Sequence, residues 1–154
     1  SSRWEGPGRC RAFSRRSRGP QGWEEEEEAR AAAGSLAEEK KLSVVWDLSS
    51  ADTAVQAAVF RQVNNAKALV PDLQVEVVFH GQAILALMND STQFAARVKV
   101  AKEKGVTLAV CNNSLKRLKI DPSKLMAETT VVPSAVVELI KKQAEGWSYL
   151  KASH

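Results

Sequence analysis

The sequence predicts an α/β fold with a mainly parallel sheet. Short β-branched and apolar runs alternate with longer stretches whose apolar residues follow helical spacing. Such alternation is typical of βαβ units, which form a parallel sheet covered by helices on both faces. After residue 40 the chain has only three glycines, Gly81, Gly105 and Gly146, and each falls between two such segments. Boundary residues and periodicity therefore indicate the same fold.

Five segments have the character of strands. They are short and are rich in valine and other β-branched or aromatic residues, which favour extended backbone. Their apolar content predicts that both faces of the central strands are buried. In chain order they are 43–47, 75–79, 106–110, 130–132 and 147–150.

The helices are marked by spacing and by the residues at which they start and stop. Segment 51–70 has apolar residues three and four positions apart, Ser50 or Asp52 as a cap, and Pro71 after its end. Gly105 stands where a residue that ends a helix is expected, and Asp121 before Pro122 predicts a further short helix. The other helices are expected at 82–89, 91–104, 113–119 and 134–145.

The chain divides near residue 40. Residues 1–40 hold 11 apolar residues, which are too few for a core, whereas half of residues 41–154 are apolar. Residues 1–20 carry six Arg and one Glu, and residues 21–40 carry seven Glu against one Arg and one Lys. We expect 1–40 to be a low-complexity leader, disordered or partly helical, and 41–154 to be a single domain.

Composition excludes several classes of partner. The positive charge of residues 1–20 is balanced by the negative charge of residues 21–40. Residues 41–154 therefore supply the whole net charge of +4, and they contain no dense basic run. We therefore expect no nucleic-acid partner. No apolar run is long enough to cross a bilayer, so we expect no membrane partner. The two cysteines, Cys10 and Cys111, form no disulfide framework, which favours a cytoplasmic location.

Reactive and polar residues follow the predicted strands at their carboxyl ends. Open α/β sheets bind ligands beyond this edge, so these residues are the candidate site. The first strand ends in a carboxylate, an imidazole follows the second, and a thiol with three polar neighbours follows the third. The residues are Asp47, His80, Cys111, Asn112, Asn113 and Ser114.

Cys111 is the candidate catalytic residue with the clearest chemistry. It ends a buried strand just before a predicted helix, where backbone N–H groups favour a thiolate over a thiol. Nucleophilic or sulfur-carrying chemistry requires a thiolate. The alternative is that Cys111 is a small buried apolar residue, and residue type and position do not decide between the two.

The other candidates also have two interpretations each. His80 could act as a general base, or it could simply cap the end of its strand. Asp47 could bind a ligand hydroxyl or a cation, or it could be a loop or capping carboxylate. The backbone amides of Asn112, Asn113 and Ser114 could stabilise an anion.

Other known motifs are absent or incomplete. Cys111 and Arg117 have the C-x5-R spacing of cysteine phosphatases, but the loop has no glycine and Leu118 replaces the usual Ser or Thr. The sequence has no dinucleotide fingerprint, P-loop or nucleophile elbow. His80 and His154 are not at metal-ligand spacing. We therefore expect no resident cofactor and no metal site.

Several segments resemble the DsrE/DsrF-like family, in its stand-alone branch. The most specific are Cys-Asn-Asn-Ser-Leu at 111–115, which follows a strand that opens with Gly-Val, and Gln-Ala-Glu-Gly-Trp at 143–147. Val-Val-Trp-Asp at 44–47, Val-Val-Phe-His-Gly at 77–81 and Val-Val-Pro-Ser at 131–134 keep the same order. The resemblance runs from about Leu42 to Lys151 and leaves the leader outside.

The resemblance implies a three-layer α/β/α domain with a five-stranded, mainly parallel sheet, assembled as a homo-oligomer, either a trimer or a hexamer. In the family's best-understood branch a strand-end cysteine takes a persulfide sulfur from a donor protein and passes it to an acceptor protein. Cys111 stands at that position, so we expect a sulfur carrier or sulfurtransferase-like protein. The alternative is a non-catalytic oligomeric module that binds a small anion or nucleotide. Some family members are exported, so the resemblance also allows an exported form.

Overall fold

The computed structural model describes residues 41–153. The expectations for the leader, including its partial helix and any pairing of Cys10, lie outside these residues. The strands are β1 Ser43–Leu48, β2 Gln74–Phe79, β3 Thr107–Cys111, β4 Thr129–Val132 and β5 Ser148–Lys151. The α-helices are α1 Thr53–Leu69, α2 Ala95–Glu103, α3 Asn112–Leu118 and α4 Ala135–Ala144, with 3₁₀ helices at Gly81–Leu87 and Pro122–Lys124.

The five strands form one sheet in the order β4-β3-β2-β1-β5, and every pair is parallel. The α/β class and the five-stranded parallel sheet are thus confirmed. The chain steps outward from β1 through β2 and β3 to β4, and α4 then returns it to β5 on the other side of β1. β2 and β5 thus lie on opposite sides of β1, and the order in which strands are added to the sheet changes direction between β1 and β5.

The two faces of the sheet are covered unequally. On one face, Trp46 and its neighbours pack with α1 and α2, where the Phe60 ring stacks on Phe94 at a centroid distance of 5.4 Å. The other face carries a small cluster in which Val45 and Val78 pack with Ala135 of α4. The main core thus lies under several helices, whereas among residues 41–153 only the helix α4 packs on the second face.

Two helical predictions needed correction, one at the start of the helix and one in its type. The helix expected from residue 91 begins at Ala95, because the Thr92 hydroxyl donates to the Ala86 carbonyl and accepts from the Phe94 amide, which holds a turn there. The helix expected at 82–89 is a 3₁₀ helix. At α1 the cap is Asp52, which accepts from the Ala54 amide at 2.8 Å.

Glu76 is an acidic side chain buried beneath α4. It is 4% exposed, and its Oε2 has no hydrogen-bond partner within residues 41–153. Burial, followed by the hydrogen bond and the charge of Glu138, raises the pKa of Glu76 to about 7, although Lys142 opposes this. The folded protein therefore holds this proton more tightly than the unfolded chain does.

We expect Glu76 to make the protein less stable as pH rises. The carboxyl of Glu76 loses its proton near pH 4.5 in the unfolded chain and near pH 7 in the folded protein. The bound proton therefore stabilises the fold fully below pH 4.5, and this stabilisation is lost as the pH rises through about 7. Glu76→Gln should raise the free energy of unfolding at pH 8 by on the order of 1 kcal/mol or more, and much less at pH 4. Urea titrations at both pH values measure this. Exposed Glu103→Gln is the control, and equal pH dependence of Glu76→Gln and wild type would contradict the expectation.

Candidate functional site

The carboxyl ends of β1, β2 and β3 lie side by side at one edge of the sheet. Asp47 pairs in register with Val78 near the end of β2, and Cys111 is the last residue of β3. His80 follows β2 directly, and its amide donates to the Leu48 carbonyl at 3.0 Å, which extends the β1–β2 ladder. The structure thus places Asp47, His80 and Cys111 on three adjacent strands.

The Cys111 sulfur lies where β3, α3 and α4 meet. Cys111 is the N-cap residue of α3 and is 4% exposed. The Ala135 amide at the start of α4 donates to Sγ at 3.2 Å. The Ser114 hydroxyl and the amides of Asn113 and Ser114, at the start of α3, lie near enough to the sulfur to lower its pKa. Donors from two helices therefore converge on one side chain.

These donors decide the acidity of the thiol. Burial is the largest single influence and raises the pKa of Cys111, but the Ser114 hydroxyl and the amides of Ser114, Ala135 and Asn113 lower it. The net pKa of Cys111 lies below its ordinary value of 9.0. Cys111 thus combines the acidity that a nucleophile requires with the burial of a structural residue.

Ser114 connects this thiol to the loop that follows β2. The Gly81 amide donates to the Ser114 hydroxyl at 2.9 Å. Gly81 has φ of +58°, a left-handed conformation that favours glycine. A Cβ on Gly81 would lie 3.6 Å from the Ser49 carbonyl oxygen and 3.9 Å from an Nη atom of Arg117. The Arg117 guanidinium therefore reaches the same edge of the sheet.

A second group of hydrogen-bonded side chains lies beside the first. The His80 Nε2 is 2.5 Å from the Asp47 Oδ1, and the Tyr149 hydroxyl donates to the Asp47 Oδ2 at 2.5 Å. The side chains of His80 and Asp47 are 28% and 15% exposed, so solvent reaches both. The hydrogen bond to Asp47, with smaller contributions from burial and the Asp47 charge, raises the pKa of Tyr149 to about 12.

The predicted site residues therefore fall into two groups. Asp47 and His80 are in direct contact, and Asn113 and Ser114 surround Cys111. Asn112 begins α3 but is not among the donors to the sulfur. Within residues 41–153 no hydrogen bond joins His80 to Cys111, and the Gly81–Ser114 hydrogen bond links the loop that follows His80 to the Cys111 group.

Sequence reasoning missed two contributors to this edge. Tyr149 is not among the predicted site residues, yet it is 40% exposed and its hydroxyl donates to Asp47. The Ala135 amide was not expected to reach Cys111. The end of β4 just before Ala135 was a usable signal, because it lies at the same edge. No comparable signal places Tyr149, since β5 has to pair with β1 for the contact to form.

Other structural features lie apart from these residues. A hollow of about 360 Å³ near the amino ends of the strands is lined partly by Lys41, Lys67 and Lys104, and none of the predicted site residues lines it. Among residues 41–153 no three His, Cys, Asp or Glu side chains are grouped as a metal ion would need. None of the helices in that range has the length and apolar character for a membrane crossing.

The fold and the residues at the carboxyl ends of its strands define a class of protein. It is a three-layer α/β domain with a fully parallel five-stranded sheet and a cysteine at the end of β3. The model of the DsrE/DsrF-like family matches residues 17–152, and the chain belongs to this family, which is associated with sulfur relay. The match begins at residue 17, so it includes part of the leader that the resemblance left outside.

Solved structures share this fold. MTH1491 from Methanobacterium thermoautotrophicum, a protein of unknown function, is 25% identical, with a TM-score of 0.69 over 72% of this chain and 99% of its own. YchN from E. coli is 12% identical, with a TM-score of 0.61 over 73% and 98%. BT1422 from Bacteroides thetaiotaomicron, also of unknown function, is 15% identical, with a TM-score of 0.60 over 71% and 93%. A comparison with curated proteins gives no match.

We expect Ser114→Ala to raise the pKa of Cys111. The change removes the hydroxyl donor to the sulfur and leaves burial, which raises the pKa, less strongly opposed. Ultraviolet absorbance of the thiolate against pH measures this in a Cys10→Ser background, where Cys111 is the only thiol. Ser123→Ala, at an exposed serine of the Pro122–Lys124 3₁₀ helix, is the control. An unchanged or lowered midpoint in Ser114→Ala would show that Ser114 does not stabilise the thiolate.

Proposed function

We propose that this chain is a sulfur carrier that holds a persulfide on Cys111. The observation that carries the proposal is the convergence of hydrogen-bond donors from α3 and α4 on the Cys111 sulfur. A sulfur that needed only to fill space in the core would require no donors. Membership of a family associated with sulfur relay supports the same function.

In the loading step the Cys111 thiolate attacks the terminal sulfur of a donor persulfide, R–S–SH. A new S–S bond forms on Cys111, the S–S bond of the donor breaks, and the donor leaves as a thiolate with the bonding electrons. No external oxidant is needed, because sulfur moves between two thiols at the same oxidation level. The amides of Asn113, Ser114 and Ala135 stabilise the attacking anion.

In the unloading step an acceptor thiol attacks the terminal sulfur, and Cys111 departs as a thiolate. The donors that lower the pKa of Cys111 also make it a better leaving group. His80 assists proton transfer at this edge, Asp47 lines the same crevice, and Arg117 adds positive charge for an anionic sulfur species. Donor and acceptor proteins are the partners of this function.

The proposal includes a homo-oligomer, a trimer or a hexamer. Helix α4 exposes Val136, Val137 and Ile140, which are 64%, 46% and 59% exposed. An apolar patch of this kind is typical of a surface that packs against another subunit. A second copy of the chain is its occupant in this proposal.

Light scattering coupled to size exclusion tests the assembly. Wild type should have the mass of a trimer or hexamer, and Ile140→Lys should shift it toward the monomer by placing a charge in the interface. Leu69→Lys, at an 84% exposed position on α1, is the matched control. A monomeric wild type, or an unchanged mass in Ile140→Lys, would argue against this interface.

Sulfur loading is tested by incubating the full chain with a polysulfide and locating added sulfur by peptide mass spectrometry. We expect one added sulfur on Cys111 in wild type and in Cys10→Ser, and none at that position in Cys111→Ser. Addition of a small acceptor thiol should remove it. The Cys10→Ser variant separates Cys111 from the second thiol of the chain.

The opposite result identifies the alternative. If Cys111 stays unmodified in the folded protein yet reacts with thiol reagents after unfolding, the thiol is structural. The chain then functions as a binding module for a small anionic ligand or nucleotide at the strand-end edge.

A further inference from the structure

The Tyr149–Asp47–His80 group lies at the point where the order of the sheet reverses. Asp47 is on β1, Tyr149 is on β5, and these two strands flank the reversal. Open parallel sheets bind ligands in the crevice that such a reversal leaves beyond the carboxyl ends. Tyr149 is 40% exposed, so this group is open to an incoming molecule.

The hydrogen bonds of this group fix which nitrogen of His80 carries the proton. An ionised carboxylate only accepts, so Asp47 Oδ1 requires a donor at His80 Nε2. The Tyr149 hydroxyl occupies the other oxygen, Oδ2, which restrains the carboxylate from turning. The Nδ1 atom then keeps its lone pair, and it makes no hydrogen bond to any of residues 41–153.

We propose that Tyr149 is a positioning residue that holds Asp47 so that His80 presents Nδ1 as a base to the thiol that removes sulfur from Cys111. This inference rests on the proposed function and names a residue and a proton route for its second step. Tyr149 acts through Asp47 and does not itself touch the reacting atoms.

The acceptor thiol loses a proton in the unloading step, and a base has to accept it. A free thiol has a pKa near 8.5 and is mostly protonated at neutral pH. His80 Nδ1 takes the proton of the acceptor thiol, R–SH. At the same time the sulfur of the acceptor bonds to the terminal sulfur of the Cys111 persulfide. The S–S bond to Cys111 breaks, and its electrons leave on the Cys111 thiolate. The products are R–S–SH, an imidazolium and a thiolate, so atoms and charge balance.

Tyr149 is suited to hold Asp47 rather than to exchange protons. Its hydrogen bond to Asp47 keeps the phenol protonated through neutral pH, because the pKa of Tyr149 is raised to about 12. It stands on the edge strand β5, whose residues are all exposed, so its side chain adds little to the core. Its single polar contact within residues 41–153 is the one to Asp47.

The first test is nitrogen NMR of the full chain, without any sulfur donor. We expect His80 to carry its proton on Nε2, and Tyr149→Phe to increase exchange of that proton with water and mix the two tautomers. The His80→Gln variant assigns the signals, because His154 is the only other histidine. A proton on Nδ1 in wild type, or an identical signature in Tyr149→Phe, would overturn the inference.

The second test follows release of sulfur from preloaded Cys111 to β-mercaptoethanol across pH. Tyr149→Phe should slow release roughly tenfold at neutral pH, the effect of one lost hydrogen bond. The difference should shrink at high pH, where the acceptor is already ionised. Asp47→Asn should slow release further, and Ser148→Ala on the same strand should match wild type.

The two tests distinguish failure of this inference from failure of the proposed function. Normal loading of Cys111 with equal release in Tyr149→Phe and wild type overturns the role of Tyr149 and leaves the carrier function standing. No loading in wild type overturns the carrier function, and the base role of His80 with it. The NMR result then decides only whether Tyr149 orients Asp47 and His80.

Discussion

The parallel pairing of the five strands is the constraint on which the rest of the structure depends. Parallel strands all begin at the same edge of the sheet, so the chain has to return to that edge after each strand. Each return connection places a helix over one face of the sheet. The same pairing sends every strand to the same edge, where residues far apart in sequence become neighbours. Asp47 and Tyr149 are 102 positions apart and meet only because β5 joins β1 in parallel. The edge chemistry is therefore a consequence of the sheet's register.

The acidity of Cys111 results from two opposing effects with a common origin. The end of β3 lies beneath α4, and that burial disfavours a thiolate. The same packing brings the Ala135 amide within 3.2 Å of the sulfur, and the turn into α3 adds Ser114. Desolvation and hydrogen bonding therefore increase together, and the lowered pKa shows that the donors prevail. A solvent-exposed thiol at a loop tip would experience neither effect.

Most of the fold could be predicted from sequence, but only part of the site. Alternating apolar runs and well-placed glycines give the element order, and the carboxyl-edge rule brings Asp47 and His80 together because each ends a recognisable strand. The pairing of β5 is not encoded locally, so the role of Tyr149 is invisible before the topology is known. Glu76 was detectable in principle, as a charged residue in the interior of an apolar strand, but its Glu138 neighbour depends on how α4 crosses the sheet.

The second face of the sheet is covered by α4, which buries little of itself, and this has a kinetic consequence. Helix α4 buries few side chains, so separating it from the sheet exposes less apolar surface than separating α1. Its amides should accordingly exchange hydrogen through local opening, while those of β1 to β3 exchange only with global unfolding. Each such opening would withdraw the Ala135 amide, which donates to the Cys111 sulfur in the folded structure. The acidity of Cys111 would then depend on how firmly α4 is held against the sheet.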